Sequence, residues 1–378
     1  MTMKEPSFTV GIEEEYMLVD PESRDLIAEA PATLMPECKR RLATQVTPEF
    51  LQCQVEVGTR VCGSIKDARD NLAELRHTVA EVARNHDLAL VAASTHPFAQ
   101  GVHQEHTRKQ RYNALAKDLQ GVVRRLMISG MHVHVGIDDD ELRIDLMNQV
   151  TYVLPHFLAL STSSPFWKGH DTGLKSYRIS VWDELPRTGL PERFESFAEY
   201  RRHVEVLVNA GIIEDATKMW WDVRPSEKFP TLEMRIADIC TRMDDGICVA
   251  AMYKCWLRML YRLRRDNKRW REYAPMLVNE NRWRAHRYGI DEGLIDFGEG
   301  TIIPYEQLLE EMLVLIREDA EFFDCVAEVE HGRTILAGGT SAHRQLRTFR
   351  SACAEGAGEQ QALAGVVDQL VAETVEGL

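Results

Sequence analysis

Four short stretches of this 378-residue chain carry chemically capable side chains two apart inside otherwise apolar runs. Glu13 and Glu15 stand in Val10-Gly-Ile-Glu-Glu-Glu-Tyr16, and Gln54 and Glu56 in Gln52-Cys-Gln-Val-Glu-Val57. His132 and His134 stand in Met131-His-Val-His-Val135, and Glu233 and Arg235 in Thr231-Leu-Glu-Met-Arg-Ile-Ala237. An extended chain turns residues i and i+2 to one face. Each pair therefore points together, while Met131, Val133, Val135, Leu232, Met234 and Ile236 point the other way. Glu15, Glu56 and Glu233 on one polar face repel each other unless cations neutralise them. Hard divalent cations with oxygen ligands meet that need, and Mg2+ is the natural choice where phosphates complete its octahedron.

Each pair alone has an ordinary explanation. Glu-x-Glu most often marks a solvated edge strand. Two imidazoles on one strand face can be a satisfied structural pair, and Glu233-x-Arg235 can be a surface ion pair. Their joint occurrence is what points to a site.

β-Branched and aromatic residues predict a strand from Phe8 to Val19, stopped by Asp20-Pro21. Ile65, Leu72, Leu75, Val79 and Val82 recur at helical spacing between Ser64 and His86, and the apolar run Leu88 to Ala93 predicts a buried strand after it. Residues 121–137 read as strand material, and Asp138-Asp-Asp-Glu141 as the cap of a helix through about Leu160. Residues 108–119 read as helix or loop, and 161–175, rich in Ser, Gly and Pro, as a long loop. Further helices are expected from Asp244 or Asp245 to about Arg271, from Pro304 to about Phe323, and after Gly338-Gly339. The sum is an α+β fold: a sheet with one apolar face covered by helices such as 64–86 and 245–271, and one carboxylate-lined face. Length alone would allow two or three domains, but no repeat, low-complexity tract or linker interrupts the chain, so a single catalytic domain, 1–378, is expected.

Lys and Arg total 45 against 59 Asp and Glu, a formal charge of −14. Such a surface repels nucleic acid and anionic membranes. The basic stretch Arg258 to Arg287 is read as a solvated helix face whose cations complement the helix dipole. No N-terminal apolar segment and no run of eighteen apolar residues occurs, so no membrane span and a cytoplasmic location are expected. Eight cysteines without a Cys-x-x-Cys pair give neither a zinc ribbon nor a thioredoxin-type motif and are read as reduced core residues.

Longer motifs surround the same pairs. Val10-Gly-Ile-Glu-Glu-Glu-Tyr16, Gln54-Val-Glu-Val-Gly-Thr59, Ser94-Thr-His-Pro-Phe98 and Ser129-Gly-Met-His-Val-His-Val-Gly136 resemble the YbdK-type carboxylate–amine ligases, also called glutamate–cysteine ligase type 2. So do Ser164-Pro-Phe-Trp167, Trp220-Trp-Asp-Val-Arg-Pro225 and Phe229-Pro-Thr-Leu-Glu-Met-Arg-Ile-Ala-Asp238, and the likeness runs to at least Gln345. Arg60 departs from the family pattern, which commonly has Pro after the threonine at 59.

The resemblance implies a glutamine synthetase-like fold, with a curved, mainly antiparallel sheet lined by metal-binding residues and backed by helices. It implies ATP and two Mg2+ ions as cofactors, with Glu13, Glu15, Glu56, His132 and Glu233 at metal positions. His134, Arg178 and Arg235 are assigned to ATP, with Glu56 and Arg235 as catalytic residues. Arg111 and Arg224 are expected to clamp a substrate carboxylate and Trp221 to wall its pocket, since guanidinium forks match such anions. The implied reaction joins a glutamate-like carboxylate to an amino-acid amine in a γ-glutamyl-type amide bond, through an acyl phosphate; glutamate and cysteine are the substrates the family name suggests. A homodimer is the base-rate expectation. The competing readings are a guanidino-kinase-like phosphotransferase, a zinc amidohydrolase built on His132-x-His134, and a non-catalytic homologue that binds a nucleotide or amino acid.

Overall fold

The computed structural model describes residues 4–101, 107 and 125–378. Among them, the alternating segments assemble one seven-stranded sheet. Its strands are β1 (Val10–Val19), β2 (Val46–Pro48), β3 (Gln54–Gly58), β4 (Ala89–Val91), β5 (Met131–Gly136), β6 (Val223–Pro225) and β7 (Thr231–Met234). Their order is β6-β7-β5-β1-β3-β2, with β4 docked on the end of β1, and every pairing is antiparallel. β1 is the hub, flanked on one side by β3 and on the other by β5 and then β4.

The apolar face behaves as its period-two pattern dictates. Val10, Ile12, Val55, Val57, Met131, Val133, Val135, Leu232 and Met234 enter one buried cluster with Leu72, Leu75 and Val79 of the Ile65–Asn85 helix. Ile247, Ala250, Ala251 and Leu257 of the Met243–Arg265 helix join the same cluster. The first helix starts where the sequence places it, with Ser64 Oγ accepting the Asp67 N–H at 3.0 Å.

That face is not wholly apolar. Glu14, between Glu13 and Glu15, turns into it and is fully buried against Arg76. A buried carboxylate survives there because a guanidinium fork pairs with it.

Several boundaries differ from expectation. The helix expected from 138 to 160 is two helices, Asp140–Val150 and Leu154–Ser161, joined by a 3-10 turn at Thr151–Val153. Pro155 has no N–H for an unbroken helix and fits the first turn of a new one. Only Met131–Gly136 of 121–137 is a strand; Ile128 and Gly130 make single bridges, and 121–124 lie outside the described residues, as does most of 108–119. The loop at 161–175 contains a small hairpin, Phe166–Trp167 with His170–Asp171. The helix after Pro304 divides into Tyr305–Leu315 and Arg317–Phe322.

The helix predicted to reach Arg271 stops at Arg265. The basic residues in its last turn and just beyond it reach acids of their own chain: Arg264 and Arg269 reach Asp145 at 2.5 and 3.0 Å, and Arg262 reaches Asp319 at 2.7 Å. It is a set of intrachain ion pairs more than a free cationic face. All eight cysteines are free and all but Cys353 are buried. Among the described residues, no helix is long and apolar enough to cross a membrane.

Candidate active site

Cross-strand partners share a sheet face, and the register turns four separate pairs into one surface. Glu13 stands opposite His132, and Glu15 opposite Glu56. His134 stands opposite Glu233, and Glu233 opposite Arg224. Two groups of ligand-type atoms result. Glu13, His134 and Glu233 bring one donor atom each within 4.8 Å of one another, and so do Glu15, Glu49 and Glu56.

The first group is charge-compensated. Glu13 Oε2 lies 3.0 Å from His132 Nδ1, and its Oε1 3.5 Å from His134 Nε2. The His134 ring is oriented from its other nitrogen, with Nδ1 2.9 Å from Thr231 Oγ1. Arg224 Nε and Nη2 donate to the two oxygens of Glu233 at 2.9 and 3.2 Å, and Arg235 Nη1 donates to Oε1 as well. Burial alone would raise the Glu233 carboxyl, but Arg235 and Arg224 outweigh it and hold the group well below the usual range. Glu13 is likewise held down, burial being outweighed by hydrogen bonds to His132 and His134. Burial and the nearby Arg235 push His132 down to about 4, so it is neutral at physiological pH. At His134 the effect of burial is outweighed by Glu13 and Glu233, and the imidazole is pushed up.

The second group is not compensated. Glu15 Oε2 accepts the Gly130 N–H at 2.7 Å, Glu56 Oε1 accepts the Thr47 hydroxyl at 3.0 Å, and Glu49 accepts the Phe50 N–H. Among the described residues, none of the three is in a salt bridge. Burial, then the charge of Glu56, pushes Glu15 up to about 7. Burial and Glu13 raise Glu56; burial, Glu15 and Glu56 raise Glu49 well above the carboxylate range. Like charges held this close in a low-dielectric pocket keep protons unless a cation replaces them.

The residues fit hard cations. Five carboxylates and one imidazole make an oxygen-rich donor set suited to Mg2+ or Mn2+. His134 Nε2 is buried facing Glu13 Oε1 at 3.5 Å, while its Nδ1 side is anchored, the arrangement of an oriented ligand. A cation bound here would take the place of the proton that Glu13 and Glu233 favour on that ring.

Other expected site residues fall elsewhere. The tight first group takes its nitrogen from His134, and His132 stands next to it with Nδ1 3.0 Å from Glu13 Oε2. Arg224 is not free to clamp substrate: besides Glu233, its Nη1 donates to the carbonyls of Thr217 and Met219 at 2.9 and 2.8 Å. Arg178 is buried on the Glu15 side of the same face, its guanidinium 5.8 Å from the Trp182 ring and its donors on the carbonyls of Ile236 and Arg235 at 3.2 and 3.1 Å. A Cβ on Gly130 would meet its guanidinium at 2.5 Å, so glycine there lets Arg178 pass and still offers its N–H to Glu15. Trp221 packs against Phe194 and Tyr200 in the core. The aromatic beside Arg235 is instead Trp182, whose ring lies 5.7 Å from that guanidinium. Arg111 lies outside the described residues.

Glu49 escaped the pairwise reading because it follows Pro48, beyond the end of β2, where no alternation assigns a face. The available signal was its place one residue past a strand paired with the strand of Glu56.

Comparison with known proteins points the same way. The family described as Glutamate-cysteine ligase family 2 matches residues 9–373. A Rhodospirillum rubrum protein named "Putative glutamate--cysteine ligase 2" is 61% identical over 380 residues, covering 100% of this chain and 98% of its own. A Jannaschia protein of the same name is 54% identical over 370 residues, covering 98% of this chain and 97% of its own. In three dimensions the chain is similar to a glutamate–cysteine ligase from Francisella tularensis solved with AMP, with a TM-score of 0.70, 14% identity, and coverage of 100% of this chain and 90% of that one. It is also similar to a bifunctional glutathione synthetase from Pasteurella multocida, with a TM-score of 0.69 and 16% identity over 98% of this chain and 53% of that one. At such identities the two structures speak for the fold, which is the glutamine synthetase-like α+β arrangement of an antiparallel sheet backed by helices. A family match over nearly the whole sequence and relatives above half identity carry the further conclusion that the chain belongs to glutamate–cysteine ligase family 2.

Proposed function

We propose that the protein is an ATP-dependent carboxylate–amine ligase that joins a glutamate-like carboxylate to the amine of an amino acid, with glutamate and cysteine as the first pair to test. At neutral pH a carboxylate is a poor electrophile and an ammonium is no nucleophile. Transfer of the γ-phosphoryl of ATP to the carboxylate gives an acyl phosphate and ADP; attack by the deprotonated amine then forms the amide and releases phosphate. Such a transfer depends on positioning and on neutralising charge over the phosphoryl oxygens.

The observation that carries this reading is the uncompensated trio Glu15, Glu49 and Glu56 beside the compensated group Glu13, His134 and Glu233. Divalent cations, when bound, would neutralise phosphate oxygens and draw the reacting groups together. Glu15, Glu49 and Glu56 would hold one cation; Glu13, His134 and Glu233 would hold a second. Arg235, buried with its Nε unpartnered among the described residues, would bind the transferring phosphoryl group. Arg224 and His132 would keep Glu233 and Glu13 ionised and aimed.

The test is ADP release with Mg2+ and ATP. Release that requires both a carboxylate and an amine, with an amide of matching mass, supports the ligase. ADP formed with a guanidino acceptor alone supports a kinase. Tight nucleotide binding without turnover across an amino-acid panel supports a non-catalytic homologue.

A further inference from the structure

Glu14 stands between Glu13, of one candidate cation group, and Glu15, of the other, yet it points away from both. Its carboxylate and the Arg76 guanidinium are each 0% exposed. Arg76 Nε donates to Glu14 Oε2 at 2.7 Å and Nη2 to Oε1 at 2.7 Å, and the Tyr16 hydroxyl adds a third bond to Oε2 at 2.6 Å. The fork does not end there. Nη2 also donates to the Cys240 carbonyl at 2.8 Å, and Nη1 to those of Thr241 and Thr374 at 2.7 and 3.5 Å.

These contacts join four parts of the chain at one guanidinium. Arg76 belongs to the Ile65–Asn85 helix, and Glu14 to the hub strand β1. Cys240 and Thr241 continue the segment that leaves β7 through Arg235 and Asp238, and Asp238 bridges Gly130, whose N–H binds Glu15. Thr374 ends the Glu359–Thr374 helix, and its hydroxyl accepts the Ala92 N–H just beyond β4. For stability alone, an apolar pair of similar volume could serve a buried site as well as an ion pair. What it could not supply is direction, because the guanidinium holds its donors in one plane and fixes every acceptor relative to the others.

From this geometry we infer that Arg76 and Glu14 are positioning residues: clamped from behind the sheet, β1 and the segment after β7 hold the two acidic groups at a fixed separation. The inference rests on the cation reading of those groups. Ordered residues behind a metal site commonly set its affinity without touching the ion.

Arg76→Lys keeps a cation beside Glu14 but loses the planar fork. It is expected to unfold cooperatively with native circular dichroism, to leave the KM for the amino-acid substrates unchanged, and to lose about 10- to 100-fold in Mn2+ affinity and in kcat. The double variant Glu14→Leu/Arg76→Met removes the pair without stranding a charge, but leaves the Tyr16 hydroxyl and the Cys240 and Thr241 carbonyls without these partners; it is expected to unfold cooperatively at a lowered denaturation midpoint, with native circular dichroism, and to show weakened Mn2+ binding by electron paramagnetic resonance. This second variant carries the test should lysine prove too disruptive. Wild-type Mn2+ affinity and kcat in the double variant would overturn the positioning role alone. Wild-type protein that binds no Mn2+ would overturn the cation reading, and this inference with it.

Discussion

Replacing Glu15 by Gln is expected to make the metal-free protein more stable while abolishing its metal-dependent ATP turnover. The folded protein lifts Glu15 from 4.5 to about 7, through burial and then the charge of Glu56. At 1.36 kcal/mol per pH unit, ionised Glu15 costs the fold about 3 kcal/mol. An acid whose folded pKa exceeds its unfolded one holds a proton on folding, so stability is lost as pH rises from 4.5 to about 7 and the loss is complete above that. Buried His96, His132, His156 and His286, each pushed down to about 4, act with opposite sign in an overlapping window, because the unfolded imidazoles are protonated there and the folded ones are not. The wild-type curve therefore does not isolate Glu15, but the difference between wild type and Glu15→Gln does. That difference should widen in favour of the variant by about 2 to 3 kcal/mol between about pH 5 and about pH 8, measured by urea unfolding with a chelator present. Saturating Mg2+ should narrow it by stabilising only the wild type. A difference flat with pH, or one favouring the wild type at high pH, would refute the account of a crowded, uncompensated trio.

Glu56→Gln and Glu49→Gln should each abolish Mg2+-dependent ADP release while circular dichroism stays native; wild-type activity in either removes that residue from the cation site. Arg224→Ala strands the buried Glu233 carboxylate with one fewer partner and should destabilise by about 3 kcal/mol or more, read from the denaturation midpoint. Gly130→Ala must displace the Arg178 guanidinium, 2.5 Å from the new Cβ, and should cost about 1–3 kcal/mol together with a drop in kcat. Ser64→Ala removes only a helix cap, so about 1 kcal/mol of stability should go with no change in turnover.

The sequence by itself determined the local facts: which strands alternate, which side chains share a face, and that Glu13, Glu15, Glu56, His132, His134, Glu233 and Arg235 lie on the polar side of one sheet. A period of two is enforced within each strand, so those assignments need no knowledge of neighbouring strands. Whole-chain motif resemblance supplied the family and its fold. Tertiary structure alone decided what crosses between strands. Register, which no single strand encodes, put His134 rather than His132 beside Glu233 and turned Arg224 from a clamp for substrate into a grip on Glu233. Glu49 entered the site from a loop with no period to betray it, and Glu14, which the pairing of Glu13 with Glu15 left without a role, became a buried partner of Arg76 from a distant helix. Alternation is written into neighbouring residues, whereas the pairing of side chains far apart in sequence is settled only when the sheet and its covering helices close on one another.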